Sequence, residues 1–249
     1  MKNRIDFLNT QIDNITMEEA VAQIGQMVHT GTNQYVVTPN IDHIVRLEKD
    51  ELFRDIYRQA SLVLTDGQPL IWLSRLLGTP IVEKVSGSDL FPRVCEMAAR
   101  KGYRLFLLGA AEGVAAKAAA NLQKRYKGLQ IAGVYSPPYG FETDKTELEH
   151  IFCMLKEARP DILAVGLGTP KQEKFFYQYR KNMSIPVVLH IGASIDFEAG
   201  NMKRAPEWMR RGGLEWLYRL LLEPGRLAKR YLVDDMAIIK IYWKYRKKQ

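Results

Sequence analysis

Four clusters of polar and glycine residues each follow a run of apolar residues, and in each cluster the side-chain types suit a chemical step. Thr65-Asp66-Gly67 comes after Leu62-Val63-Leu64. A carboxylate there can accept a proton from a hydroxyl nucleophile or can cap the helix that begins near Pro69, and residue type alone leaves both readings open. Thr38-Pro39-Asn40-Ile41-Asp42-His43 gathers a hydroxyl, a carboxamide, a carboxylate and an imidazole at a proline turn. Gly109-Ala110-Ala111-Glu112-Gly113 can turn backbone N–H groups toward a phosphate at a helix start, but it lacks the G-x-G-x-x-G spacing of a dinucleotide fingerprint. Val165-Gly166-Leu167-Gly168-Thr169-Pro170-Lys171-Gln172-Glu173 has two glycines that permit close backbone approach, followed by Lys171 and Gln172 where a helix opens toward a nucleotide.

Other chemistries lack their residues. The chain holds no Walker A sequence and no pair of aspartates separated by one residue, and His29, His43, His150 and His190 are scattered, so no bound metal and no cofactor are expected. His190 lies in an apolar strand and reads as a hydrogen-bonded core histidine, whereas His43 adjoins a candidate site. Cys95 and Cys153 each sit in an apolar helical pattern, which fits a reduced cytosolic setting and disfavours a thiol nucleophile. Ser194 is not flanked as a nucleophile elbow.

These clusters need a scaffold that aligns them, and the hydrophobic periodicity supplies one. A capping box at Thr16-Met17-Glu18-Glu19 opens a helix to about residue 29, after a short strand over residues 5–9. Strands are expected at 34–38, 62–64, 104–108, 130–135, 162–165 and 186–191, and helices at 41–59 with a break near Asp50, 69–77, 89–100, 114–126, 145–158 and 171–181. This alternation predicts an α/β fold with a mainly parallel, Rossmann-like sheet and helices on both faces. In such a sheet ligands bind beyond the carboxyl ends of the strands, which is where all four clusters fall.

The last fifth of the chain is different. Residues 1–200 hold 23 basic and 23 acidic side chains and residues 201–249 hold 13 and 5, so the whole formal charge of +8 belongs to the tail. Helices over 206–222 and 225–245, broken at Pro224-Gly225, make a cationic amphipathic appendage on an α/β body that ends near residue 200. Four-residue spacing places Arg211, Glu215 and Arg219 on one face and Arg226 and Arg230 on another. Charge of this kind suits nucleic acid, lipid phosphate or a membrane surface. No apolar run reaches the ~20 residues needed to cross a bilayer, and the N-terminus lacks the apolar core of a signal peptide.

Taken together, Thr38-Pro39-Asn40, Thr65-Asp66-Gly67, Val85-Ser86-Gly87-Ser88-Asp89-Leu90, Phe106-Leu107-Leu108-Gly109, Gly166 through Glu173 and Gly192-Ala193-Ser194-Ile195-Asp196-Phe197 resemble the WecG/TagA/CpsF family of bacterial glycosyltransferases over about residues 5–230, and most closely its TagA type. The resemblance implies inverting transfer of N-acetylmannosamine from UDP to the 4-hydroxyl of N-acetylglucosamine on undecaprenyl diphosphate, a step of wall teichoic acid synthesis. It implies Asp66 as general base, and Thr38, Asn40, Lys84, Ser86, Gly109, Gly166, Gly168, Lys171, Gln172 and Asp196 as substrate-binding residues, joined by Arg211, Arg219 and Arg226 from the appendage. Lys84 stands where the family usually has Arg, which keeps the charge and loses the bidentate fork.

The expected partners are the UDP-sugar donor, the polyprenyl-diphosphate-linked acceptor and an anionic membrane surface, with homo-oligomerisation left open. The expected location is cytoplasmic, peripheral on the inner face of the cell membrane. Two rivals are a relative that uses another UDP sugar and a nucleic-acid-binding protein. The second is disfavoured because a neutral body with polar strand-end clusters is not what phosphate tracking requires.

Overall fold

The computed structural model describes residues 3–31 and 33–246, apart from the side chains of Arg211 and Arg226. Its strands are β1 (Arg4–Phe7), β2 (Thr10–Asp13), β3 (Gln34–Val37), β4 (Leu62–Val63), β5 (Arg104–Gly109), β6 (Gln130–Tyr135), β7 (Ile162–Gly166) and β8 (Val187–His190). The body helices are α1 (Met17–Thr30), α2 (Ile41–Lys49), α3 (Glu51–Gln59), α4 (Gln68–Leu76), α5 (Gly87–Lys101), α6 (Val114–Arg125), α7 (Lys145–Ala158), α8 (Lys171–Tyr179) and α9 (Ser194–Ala199). The tail contributes α10 (Glu207–Arg211), α11 (Glu215–Leu222), α12 (Pro224–Lys229) and α13 (Ala237–Tyr245).

Six strands form one parallel sheet in the order β4-β3-β8-β7-β5-β6. Alternate residues of its central strands enter opposite cores, as the two-residue period of a strand requires. Leu105, Leu107, Ile162 and Ala164 pack with Ile24, Phe91 and Ala118, while Phe106, Leu108, Leu163 and Val165 pack with Ile44, Phe53 and Phe176. Both faces are therefore covered by helices, and the strand ends are left as the open edge. The expected α/β architecture is the one observed, including the break at Asp50, whose side chain caps α3 by accepting from the Phe53 N–H at 3.0 Å.

Two expectations need correction. The single strand over residues 5–9 is a two-stranded antiparallel hairpin, β1 with β2, turned at Leu8 with φ 52°. Leucine is an unusual residue for that backbone region, so the turn carries no sequence signature. Arg4 grips Asp13 at 3.0 and 2.7 Å, and Asp13 Oδ2 accepts from the Val63 N–H at 2.8 Å, which seats the hairpin against edge strand β4. That contact occupies part of an edge that would otherwise be open to pairing.

The tail departs further from expectation. The helix over 206–222 is broken into α10 and α11 at Gly212-Gly213, and Gly213 takes φ 72° with no room for a Cβ against Gln68 and Trp72. The helix over 225–245 is interrupted by a π-helical turn at Arg230–Asp234. Arg211 and Arg219 consequently lie on separate helices, so the common face expected from four-residue spacing is not formed. The tail folds back on the body: Ile241 enters the core with Ile44 and Phe53, and Lys244 pairs with Glu48.

Candidate active site

At the carboxyl edge of the sheet, β4, β3, β8 and β7 end around one cavity of about 700 Å³ that the tail roofs. Asp66, Thr38, Asn40, Gly168 and Gln172 line it from the body, and Arg219 lines it from α11. Asp66 does not cap a helix. The N-cap of α4 is Gly67, no side chain bonds the first turn, and Asp66 instead donates its backbone N–H to the Pro39 carbonyl at 2.8 Å. Its carboxylate is left facing the cavity. Burial pushes the Asp66 pKa up to about 6, with Glu215 adding to the rise and Lys84, His43 and Arg219 opposing it.

Asn40 caps α2 by accepting from the His43 N–H at 3.3 Å, and its Oδ1 also meets His43 Nδ1 at 2.7 Å and Arg230 Nη2 at 3.3 Å. His43 Nε2 lies 2.7 Å from the Thr169 hydroxyl, which donates to Glu173 at 2.9 Å. Gln172 donates to the same Glu173 oxygen at 2.9 Å and accepts from the Gly192 N–H at 3.2 Å. A buried carboxylate thus ties the β7 and β8 turns to the start of α2. Desolvation raises the Glu173 pKa, but His43, whose Nε2 lies 3.8 Å away, and the hydrogen bond from Gln172 outweigh it and hold the carboxyl below its ordinary value.

Other expected residues fall elsewhere. Lys84 is not in the lining: its ammonium is 3.2 Å from Asp89 and 3.9 Å from Glu215, so it is held in a cluster with Arg204, which reaches Asp89 at 2.7 Å. Ser86 is a buried helix cap for α5, accepting from the Asp89 N–H at 3.3 Å and donating to Asp89 Oδ2 at 2.7 Å. Lys171 points along the edge, 2.7 Å from Glu142 and 4.8 Å from the centre of the Tyr139 ring. Asp196 is in the first turn of α9, where its carbonyl accepts from Gly200 and Asn201 N–H groups. The side chains of Arg211 and Arg226 lie outside the described residues.

Gly109 and Gly166 form a close backbone crossing between β5 and β7. A Cβ on Gly109 would stand 2.5 Å from the Gly166 carbonyl oxygen, and φ is 117° there. Gly109→Ala is accordingly expected to cost about 1–3 kcal/mol, seen as a lowered Tm in thermal unfolding. Beyond this crossing, the ends of β5 and β6 border a second depression of about 680 Å³, lined by Ala110, Gly113, Ser136 and Tyr139 among others.

Sequence reasoning missed several cavity residues. His190 is buried with neither ring nitrogen hydrogen-bonded to a described residue, contrary to the expected satisfied core histidine, and burial lowers its pKa to about 4, which keeps it neutral. Glu215, Trp216, Arg230, Tyr231 and Asp235 also line the cavity, whereas Thr169, which lines it too, belongs to the expected polar helix start. The spacing of His43 three residues after Asn40 is a capping-box signal, whereas the tail residues had none, because their positions depend on how the tail docks. Among the described residues no three His, Cys, Asp or Glu side chains converge as a metal site.

A parallel sheet with a buried carboxylate and arginines around a strand-end cavity defines an α/β enzyme of the ligand-at-the-edge kind. Residues 5–249 match the model of the glycosyl transferase WecG/TagA/CpsF family, and the chain belongs to that family. An N-acetylglucosaminyldiphosphoundecaprenol N-acetyl-beta-D-mannosaminyltransferase of Bacillus spizizenii is 30% identical over 224 residues, 90% of this chain and 83% of the relative. A protein of the same name from Bacillus subtilis is 34% identical over 190 residues, 76% of this chain and 72% of the relative. One from Staphylococcus aureus is 28% identical over 228 residues, covering 91% and 87%.

Proposed function

We propose that this glycosyltransferase moves N-acetylmannosamine from UDP-N-acetylmannosamine to the 4-hydroxyl of N-acetylglucosamine on undecaprenyl diphosphate, with inversion at the anomeric carbon, in wall teichoic acid linkage-unit synthesis. The single observation that supports the reading is Asp66, a carboxylate raised to about 6 in a cavity whose roof brings Arg219 and Arg230 in beside Glu215 and Asp235. The acceptor hydroxyl loses its proton to Asp66 as its oxygen forms the new bond to the anomeric carbon, and the bond to UDP breaks on the opposite face. Thr38, Asn40 and Gln172 orient the sugars. Negative charge developing on the departing diphosphate is met by Arg219 and Arg230, whose buried Nε–H groups have no partner among the described residues. The nucleotide lies along the glycine-bearing edge of Gly109, Gly166 and Gly168, with Lys171 at its far end, while Lys84 acts on Asp66 through its charge. Asp196 and Ser86 support the turns beneath.

The protein works at the inner face of the cell membrane. Trp208, Leu221, Leu222, Leu232, Val233, Met236, Ile239 and Trp243 of the tail are exposed, and together with its excess of basic residues they suit an anionic interface. No helix among the described residues is long and apolar enough to cross a membrane. The direct test is incubation with UDP-N-acetylmannosamine and a short-chain lipid-diphosphate acceptor, followed by UDP release and product mass. A disaccharide of the expected mass supports the reading, and an inert acceptor together with turnover of another UDP sugar redirects it. Transfer is also expected to persist in EDTA, because arginines take the place that a metal bound by an Asp-x-Asp pair would have at the diphosphate. Activity abolished by EDTA and restored by Mg²⁺ or Mn²⁺ would overturn that expectation.

A further inference from the structure

Asp235 is a buried acid of the cavity that the proposed reaction does not use. The π-helical turn before it carries the Asp235 N–H to the Arg230 carbonyl at 2.8 Å, five residues back, and this wide turn puts Arg230, Tyr231 and Asp235 all on the cavity wall. The Asp235 side chain is only 9% exposed, and its Oδ1 has no hydrogen-bond partner among the described residues. A buried carboxylate oxygen without a donor is costly, of order a few kcal/mol, unless a ligand supplies one. The charges around it are mixed: Arg230 and His43 attract it, while Asp42 and Asp234 repel it.

The chemistry of the proposed acceptor narrows what can fill this vacancy in hydrogen bonding. A diphosphate has only acceptor oxygens and would repel a carboxylate, and a polyprenyl chain has no polar hydrogen. The acceptor sugar carries hydroxyl donors. It must also lie in this cavity, because its attacking hydroxyl has to reach Asp66, which lines the same cavity from the body. Resting on that reading of the reaction, we propose that Asp235 is a specificity-determining residue of the appendage, accepting a hydrogen bond from the 3- or 6-hydroxyl of the acceptor sugar. The tail then reads the sugar as well as meeting the phosphates.

The test pairs variants with substrates. Wild type, Asp235→Ala and Asp235→Asn are assayed with N-acetylglucosamine-diphosphate-lipid and its 3-deoxy and 6-deoxy analogues, alongside UDP affinity and Tm. Asp235→Ala is expected to raise the acceptor KM by about tenfold to a hundredfold, the range for a hydrogen bond to a charged group, with kcat within a few-fold and UDP affinity unchanged. One deoxy analogue should penalise the wild type by a similar factor and penalise the variant no further. If Asp235→Ala does not fold, Asp235→Asn keeps the shape and should show the same non-additivity at smaller amplitude. Penalties that simply add for both analogues, an unchanged KM, or an equal loss on every acceptor with a lowered Tm would overturn the proposal. A wild type that uses none of these acceptors would overturn the parent reading and this proposal with it, whereas an active wild type with additive penalties overturns this proposal alone.

Discussion

Asp66→Asn is expected to lower turnover by about 10²- to 10⁴-fold, the usual contribution of a positioned general base, while UDP affinity stays nearly the same. The amide fills the space of the carboxylate and cannot take the proton. With a pKa raised to about 6, the wild-type carboxylate is mostly ionised at pH 7.5 and is a stronger base than an exposed aspartate. The kcat/KM of the wild type should therefore be level above about pH 7 and fall roughly tenfold per unit below pH 6, and the variant should lose that acid limb. The same group makes a stability prediction of opposite sense. A carboxyl whose folded pKa is raised from 3.8 to about 6 favours the fold when protonated, and that contribution is lost as pH rises through this window. At pH 7.5 Asp66→Asn should then raise Tm, by roughly 2–4 °C per kcal/mol for a chain of this size, with about 1 kcal/mol a fair allowance after discounting for partial exposure. Near-normal turnover with a flat pH profile would remove Asp66 from the reaction.

Removing residues from Arg204 onward is expected to abolish transfer to the lipid acceptor while leaving a folded α/β body that still binds UDP. The two sheet cores are built almost wholly from residues before Gly200, with Ile241 the tail member of the core beside Ile44 and Phe53. The cavity, in contrast, loses Trp216, Arg219, Arg230, Tyr231 and Asp235, which form its roof. The same truncation removes nearly all the excess of basic residues, since residues 204–249 carry 12 basic against 5 acidic groups. Intact protein should sediment with anionic liposomes at low salt and be released as the Debye length shortens from about 10 Å at 0.1 M to 3 Å at 1 M. UDP calorimetry, liposome sedimentation and product mass separate the three roles. Full-rate glycosylation by the truncated chain, or equal sedimentation, would show that the tail serves neither the acceptor nor the membrane.

How far the site could be read without the fold differs by residue. Asp66, Thr38, Asn40, Gly168 and Gln172 reach one cavity because each belongs to a cluster that follows an apolar strand, and a parallel sheet brings strand ends to one edge whatever the details of packing. Ser86 and Lys84 carried the right chemistry at the right place in the chain, yet Ser86 caps α5 and Lys84 is paired with Asp89 and Glu215. A hydroxyl or an ammonium looks the same in sequence whether its partner is a ligand or a neighbour. The tail was read correctly as helical and cationic. Its breaks were not, because Gly213 adopts its left-handed turn to fit against Gln68 and Trp72, residues far away in the chain.

By itself the sequence determined the alternation of strands and helices, the parallel sheet with two buried faces, the edge where ligands meet it, and the confinement of net charge to the last fifth of the chain. These follow from local periodicity and composition, which any chain of this pattern must obey. Only the tertiary structure decided that His43, Thr169 and Glu173 join across 126 residues between the first two, that the buried His190 ring nitrogens have no hydrogen-bond partner among the described residues, and that Arg230 and Asp235 close the cavity over Asp66. The reason is physical: such contacts depend on how whole elements dock, and docking is governed by burial and steric fit between distant segments, which leave no periodic trace in either one.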